Sequence, residues 1–440
     1  MRALPALAAM LALAAPAPAL AEGLYIAAGQ LLDVETGEVL TGQCILTEGE
    51  RIVRVEPCAV TPEGAERLDW SAYTVLPGLI DLHTHLSDTG SSADLADPLR
   101  TSPVDTVLIG ARNARLTLEA GFTTVRDVGT YRGLTDVALR NAIDKGLVPG
   151  PRMFVAGAYL THPGGGGELN GVVPNDQLPA DMRLGVLSSP EEAAARATFL
   201  FDHGVDFLKL MATGAVLAIG TEPGEPELTE AEMRAAVDVA KARGSFATAH
   251  AHGGEGIKAA IRAGVRSIEH ASLIDEEGLL LARDKGVWLV MDIYNGDYID
   301  EVGTREGWPE EYLRKNRETT QVQRDNFRRA VALGVPLAFG SDAGVFPHGI
   351  NARQLRYMVA NGMSPLQAIR AATVNAAQVL GRDNELGRIA PGYLADMIAV
   401  TGNPLGDVTV LERVAGVMKG GRIIRYRPRH RCHRAAADTL

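Results

Sequence analysis

The order of apolar and polar residues divides the chain into three zones. Between residues 24 and 75, short apolar stretches alternate with turns, as in "GLYIAAGQLLDVETGEVL" and "CILTEGERIVRVE", where "ETGE" and "EGER" read as hairpin turns. From residue 76 to 380 the pattern changes. The runs "GLIDLHTHL", "FTTVRDVG", "RMFVAGAYL", "VDFLKLMA", "SFATAHA", "VRSIEHAS", "VWLVMDI" and "VPLAFGSDA" read as buried strands. Helix-like segments lie between them, among them "SPEEAAARATFLFDHG", "TEAEMRAAVDVAKARG", "GEGIKAAIRAG" and "DEEGLLLARDKG", several closing on the glycine that a helix C-terminus favours. From residue 383 to 427 short strands return, in "LGRIAPGYLADMIAVTG" and "VAGVMKGGRIIRY". Eight strands alternating with helices over about 300 residues predict an α/β fold with a (β/α)₈ TIM barrel. The flanking zones are expected to form one small β-sandwich domain built from both chain ends, residues 22–75 and 381–428, around a barrel of residues 76–380. A doubly wound open sheet is the alternative, but no glycine fingerprint for a dinucleotide follows the first strand.

The barrel pattern gives the polar residues at the strand ends a meaning. His83 and His85 stand two apart in "GLIDLHTHL", so on a strand both point to one face. His250 closes "SFATAHA", His270 closes "VRSIEHA", Asp342 closes "LAFGSDA" and Lys209 closes "VDFLK". In a barrel the carboxyl ends of the strands converge on the face where active sites are built. Lys209 stands out within "GVDFLKLMATG". Either its stem carries the ammonium to solvent, or the fold has a use for it, because a buried unpartnered ammonium is costly. Imidazoles and carboxylates ligate Zn²⁺ and its neighbours, and these residues offer more donors than one catalytic zinc with an open position needs. Two close cations require anionic ligands between them, and Asp342 alone is meagre. A neutral lysine amine reacts with CO₂ to give a carbamate, which has the charge and shape of a carboxylate.

Further residues sit where a substrate would approach. His252 lies two positions past His250, His162 opens the glycine-rich loop "THPGGGGELNG", and Tyr294 follows the seventh strand. The glycine-rich loop lacks the Lys-Ser/Thr of a nucleotide loop and reads as a lid. His203, His348, His430 and His433 read as non-ligands.

A net charge of −11 with no basic stripe argues against a nucleic-acid partner. The one basic cluster, "RYRPRHRCHR" at residues 425–434, reads as solvated, with residues 429–440 as a basic tail. Residues 1–21 carry Arg2 as their only charge, an Ala/Leu-rich stretch and a small-x-small end at Ala19-Leu20-Ala21, the pattern of a cleaved signal peptide. The expected location is therefore periplasmic or secreted, with no membrane span after cleavage; an uncleaved anchor is the alternative. An exported chain can keep disulfides, and Cys44 with Cys58 is a candidate pair that leaves Cys432 over.

The set "PGLIDLHTH", Lys209 in "FLKLM", His250, His270 and Asp342 resembles the amidohydrolase superfamily, in its binuclear, carboxylated-lysine branch. "AHAHGGEGIKAAIRAGVRSIEHAS", "MDIYNGDYI", "GSDAGVFPHG" and "SPLQAIRAATVNAAQVLG" resemble its metal-dependent carboxypeptidases and dipeptidases, prolidase-like and ochratoxin-hydrolysing members included. The resemblance runs from about Leu24 to Tyr426. It implies two divalent metal ions, with Zn²⁺ the first candidate. His83, His85 and Asp342 would bind one and His250 and His270 the other, with carbamylated Lys209 as bridge. It also implies that Asp342 takes a proton from a metal-bridging hydroxide as that attacks the amide carbon and passes it to the leaving nitrogen. The expected substrate is a small molecule or short peptide cleaved beside a C-terminal amino acid, such as a dipeptide or N-acyl amino acid; a homo-oligomer is compatible with all of this. Two alternatives stay open: the same site acting on a lactone, cyclic amide or phosphotriester, and an exported metal- or solute-binding protein without turnover.

Overall fold

The computed structural model describes residues 23–88 and 93–426. The signal-peptide segment, the basic tail, Cys432, His430 and His433 lie outside the described residues.

All eight apolar runs of the middle zone form parallel strands. Leu79–Thr84, Phe122–Asp127 and Arg152–Val155 make a three-stranded sheet. Tyr159–Leu160, Leu208–Met211, Ala247–Gly253, Ser267–Leu273, Trp288–Val290 and Leu337–Ala338 follow one another in a six-stranded sheet. One run differs from expectation: "RMFVAGAYL" is two strands, because Gly157 between them adopts a φ of +78° and redirects the chain. The first half pairs with the strand before it and the second half with the strand after it. At the other side, the amides of Leu82 and His85 donate to the carbonyls of Phe339 and Ala343, and the Asp342 amide donates to His83 O. The carboxyl ends carrying His83, His85 and Asp342 are thereby tied together.

Local sequence accounts for the helices that separate the strands. Pro190–Asp202 starts on Ser189, whose side chain accepts from the Glu192 amide, and Glu230–Ala242 starts on a capping box of Thr229 and Glu232. Gly254–Ala263 and Glu276–Lys285 end on Gly264 and Gly286 in the left-handed region. The longest helix, Glu310–Leu333, is mostly polar and carries Asn316, Thr319, Thr320 and Gln323 into the wall of a cavity.

The chain ends meet in one eight-stranded sheet. Arg422–Tyr426, Val414–Lys419 and Met397–Val400 join Ala65–Pro77, which runs parallel to Gly23–Leu32; Gln43–Glu48 and Arg51–Pro57 follow, and the short Val39–Thr41 pairs with Gly23–Leu32 as the eighth. The turns expected at "ETGE" and "EGER" are present, with Gly37 and Gly49 at positive φ. Cys44 and Cys58 are joined by a disulfide in this sheet.

Candidate metal centre

Each histidine at a strand end has one ring nitrogen already engaged, and that bond decides which nitrogen is free. Glu269 Oε2 accepts from His83 Nδ1 at 2.8 Å, and Gly129 O accepts from His85 Nδ1 at 3.0 Å. Both rings therefore turn Nε2 towards Asp342 Oδ1, at 3.4 Å for His83 and 3.2 Å for His85. Asp292 Oδ1 accepts from His270 Nδ1 at 2.8 Å, leaving its Nε2 free. His250 is the reverse case: its Nε2 donates to Gly214 O at 3.2 Å, so Nδ1 carries the lone pair.

These rings converge. His83 and His270 have centroids 4.8 Å apart, and His250 and His270 4.5 Å apart. His83, His85 and Asp342 bring ligand atoms within 4.8 Å of one another, as do His250, His252 and His270, and also His270, Asp292 and Asp342. The backbone is bent to present them. His270, Ala271 and Asp342 have φ values of +70°, +49° and +59°, a region that costs non-glycine residues of order 1–3 kcal/mol each and gathers at functional sites.

The electrostatics differ from ring to ring. Burial, then the nearby Lys209 charge, holds His83 well below the usual imidazole range; burial, then His270, does the same for His250. Burial also depresses His85, but its hydrogen bond with Asp342 and that carboxylate's charge outweigh this and raise it to about 9. Beneath the site, burial alone would raise Glu269. Arg126, bonded to it at 2.6 Å, and Lys209 reverse that and hold it below the usual carboxylate range. Arg126 is itself fully buried and also donates to Leu82 O at 2.7 Å and Ser267 Oγ at 2.9 Å. Asn295 joins the two halves of the site. Its Nδ2 donates to Asp292 Oδ2 and to Asp342 Oδ2, both at 2.9 Å.

Lys209 lies among these groups at 2 % exposure, and its Nζ has no hydrogen-bond partner. Burial pushes the ammonium down to about 8, against the pull of Glu269. The stem does not carry the head to solvent. An orphaned amine ringed by four imidazoles and by Asp292 and Asp342 is the donor set into which a carbamate and cations fit.

One cavity is lined by His83, His85, Lys209, His250, His270 and Asp342, together with His252, which accepts or donates at 2.8 Å with Ser272 Oγ. Two residues expected to face substrate do not line it. His162 is exposed on its loop. Tyr294 points into a separate aromatic cluster, 5.0 Å from the Phe346 ring and 5.2 Å from Tyr357, with its hydroxyl accepting from Arg353. Its neighbour Asn295 takes the cavity position instead. Glu269, Arg126, Asp292, Asn295 and Asp88 escaped the reading from sequence. For Asp292 a signal was present, since it ends the seventh apolar run as Asp342 ends the eighth. Glu269 stands inside an apolar run as Lys209 does, but its partners Arg126 and His83 lie far away in the chain.

The chain is similar to known proteins over most of its length. Residues 74–424 match the amidohydrolase family. The chain is 30 % identical over 410 residues to ochratoxinase of Aspergillus niger, covering 88 % of this chain and 84 % of that protein. Among solved structures, a Xaa-Pro dipeptidase with methionine bound in its active site superposes with a TM-score of 0.85 at 35 % identity, over 91 % of this chain and 99 % of that one. A prolidase complexed with N-methylphosphonate-L-proline gives 0.85 at 30 % identity, over 92 % of this chain and all of that one (100 %). The chain belongs to the amidohydrolase family of hydrolases.

Proposed function

We propose that this protein is a binuclear metal-dependent hydrolase that cleaves an amide bond next to a C-terminal amino acid, with a dipeptide or N-acyl amino acid as substrate. The observation that carries this is the buried, unpartnered Lys209 Nζ among four histidines and two aspartates. His83 and His85 with Asp342 would hold one divalent cation, and His250 with His270 the other. Lys209, after its amine adds to CO₂ and releases a proton, would bridge them as a carbamate. Zn²⁺ suits the nitrogen-rich donor set. Two such cations would polarise the scissile carbonyl and lower the pKa of water.

The chain's own groups do the rest. Asp342 takes the proton from the attacking water and delivers it to the leaving nitrogen, its Oδ2 held in place by Asn295. Glu269, anchored by Arg126, keeps His83 in the tautomer that presents Nε2, and Asp292 does the same for His270. His252 faces the substrate beside them.

The same reading takes the two parallel sheets as one (β/α)₈ barrel spanning 76–380, supported by the backbone bonds between Leu79–Thr84 and the residues after Leu337–Ala338. It takes the sheet of the chain ends as a sandwich, supported by one hydrophobic cluster that joins Ile52 and Met418 from opposite ends of the strand order. It places the protein outside the cytoplasm, in keeping with the Cys44–Cys58 disulfide. Among the described residues no helix is long and apolar enough to cross a membrane.

A panel of dipeptides and N-acyl amino acids, set against lactones and a phosphotriester, tests the assignment. The expected result is a kcat/KM of at least about 10⁴ M⁻¹s⁻¹ on one or more amides, the low end for evolved enzymes. Turnover of a lactone or phosphotriester with none of any amide would move the site to that other bond.

A further inference from the structure

The loop "THPGGGGELNG" has no part in the mechanism above, yet Gly166 within it lines the cavity. Its glycines suggest a lid, but the fold ties it down from several sides. The Gly164 amide donates to Glu168 Oε2 at 2.7 Å, and Asn170 Nδ2 donates to Gly164 O at 3.1 Å and Gly165 O at 2.9 Å. Glu168 is held in turn by Arg183 Nε at 2.8 Å and Asn175 Nδ2 at 2.7 Å. The Gly166 amide takes its partner from elsewhere in the chain. It donates to the Glu227 carboxylate, with Oε1 at 2.8 Å and Oε2 at 3.0 Å. An amide that donates to a carboxylate makes one of the stronger hydrogen bonds.

The missing side chains let the loop lie this close. A Cβ on Gly165 would stand 2.6 Å from Glu227 Oε2. One on Gly166 would meet Ala215 Cβ at 3.1 Å and Met211 Cε at 3.3 Å, so Gly166 packs directly on the loop that follows Leu208–Met211. That second loop is tied from behind as well. The fully buried Lys315 donates to Ala218 O at 2.5 Å and Ala215 O at 3.4 Å, and pairs with Glu311 Oε1 at 2.7 Å. Ala215, Val216 and Leu217 line the cavity beside Gly166 and Met211. This wall is therefore apolar towards a ligand and held by charged groups behind it, Glu227 under one loop and Lys315 under the other. An apolar wall gains most from a side chain packed on it when the wall itself is fixed.

We infer that this wall is the subsite for an apolar side chain of the substrate, and that Glu227, by holding the Gly166 amide, is the positioning residue that keeps it in place. The inference rests on the amide-hydrolase reading above and narrows its substrates to those with an apolar side chain.

The test compares Leu-Leu with Gly-Gly, and N-acetyl-Leu with N-acetyl-Gly, on the wild type, Glu227→Gln and Glu227→Ala, with metal content and thermal midpoint measured for each. The wild type favours the leucine substrate of a pair by at least about 10-fold in kcat/KM, the worth of burying a leucine side chain. Glu227→Ala lowers that preference about 10-fold, mainly through KM, as expected for losing a hydrogen bond to a charged group. Glu227→Gln, which keeps one acceptor oxygen, falls between the two. Hydrogen exchange reads the wall without substrate: the peptide containing Gly166 exchanges at least about 10-fold faster in Glu227→Ala than in the wild type. Equal exchange in both would overturn the role of Glu227. An unchanged leucine preference in the variants would do the same, since a merely structural role lowers both substrates of a pair together. A wild type that turns over these amides without preferring leucine would overturn the subsite while amide hydrolysis stands. Turnover of none of the four would sink the amide-hydrolase reading, and the subsite with it.

Discussion

Asp342→Asn is expected to lower kcat by about 10²- to 10⁴-fold, the range that a positioned general acid–base supplies. The change keeps the shape of the side chain and removes its proton affinity. The Asp342 amide stays bonded to His83 O, so the left-handed backbone that presents the side chain is retained. Four histidines and Lys209 remain to hold metal, so metal content should stay near that of the wild type. Measuring kcat and metal per chain on the same preparation separates the two roles. Wild-type kcat in the variant would show that Asp342 shuttles no proton, and loss of metal with loss of turnover would make it a ligand first.

Lys209→Met is expected to move stability and activity in opposite directions. In the metal-free protein the substitution removes a buried amine that has no partner and leaves an apolar chain of similar length on the face opposite to Leu208 and Leu210. An unsatisfied buried polar group costs about 1–3 kcal/mol, so the metal-free variant should be more stable by that order in urea. On the proposed mechanism the wild type keeps the destabilising group because the bridge needs it. The variant has nothing to carbamylate, so it should bind less than two metals per chain and lose nearly all turnover. A metal-free variant less stable than wild type would mean that Lys209 has a structural partner. Full activity would remove the bridge from the mechanism.

The centre was legible in the sequence to the extent that one strand's own residues reveal it. His83, His85, His250, His270 and Asp342 each close a short apolar run, and parallel strands bring such ends together whatever lies between them. Lys209 was visible for the same reason, as a cation inside an apolar run. What sequence did not reveal depends on partners distant in the chain or on turns. Glu269 is beside His270 but serves His83 and Arg126, contacts that exist only once the strands are assembled. Tyr294 and Asn295 are adjacent, and the short helix Asn295–Tyr298 that follows decides which one meets the cavity. The helix Glu310–Leu333 buries Asn316, Thr319 and Gln323 beside Leu313 and Phe327, so its apolar stripe is interrupted where it lines the cavity. Gly157 gave the break in the third strand run no more signal than any other glycine.

The claim at the centre of this account is that two metals act together around Lys209. Metal-free protein titrated with Zn²⁺ in bicarbonate buffer, with amide hydrolysis read at each addition, tests it most directly. Activity that climbs to a break at two equivalents per chain is the predicted result, and full activity at one equivalent or fewer would contradict it.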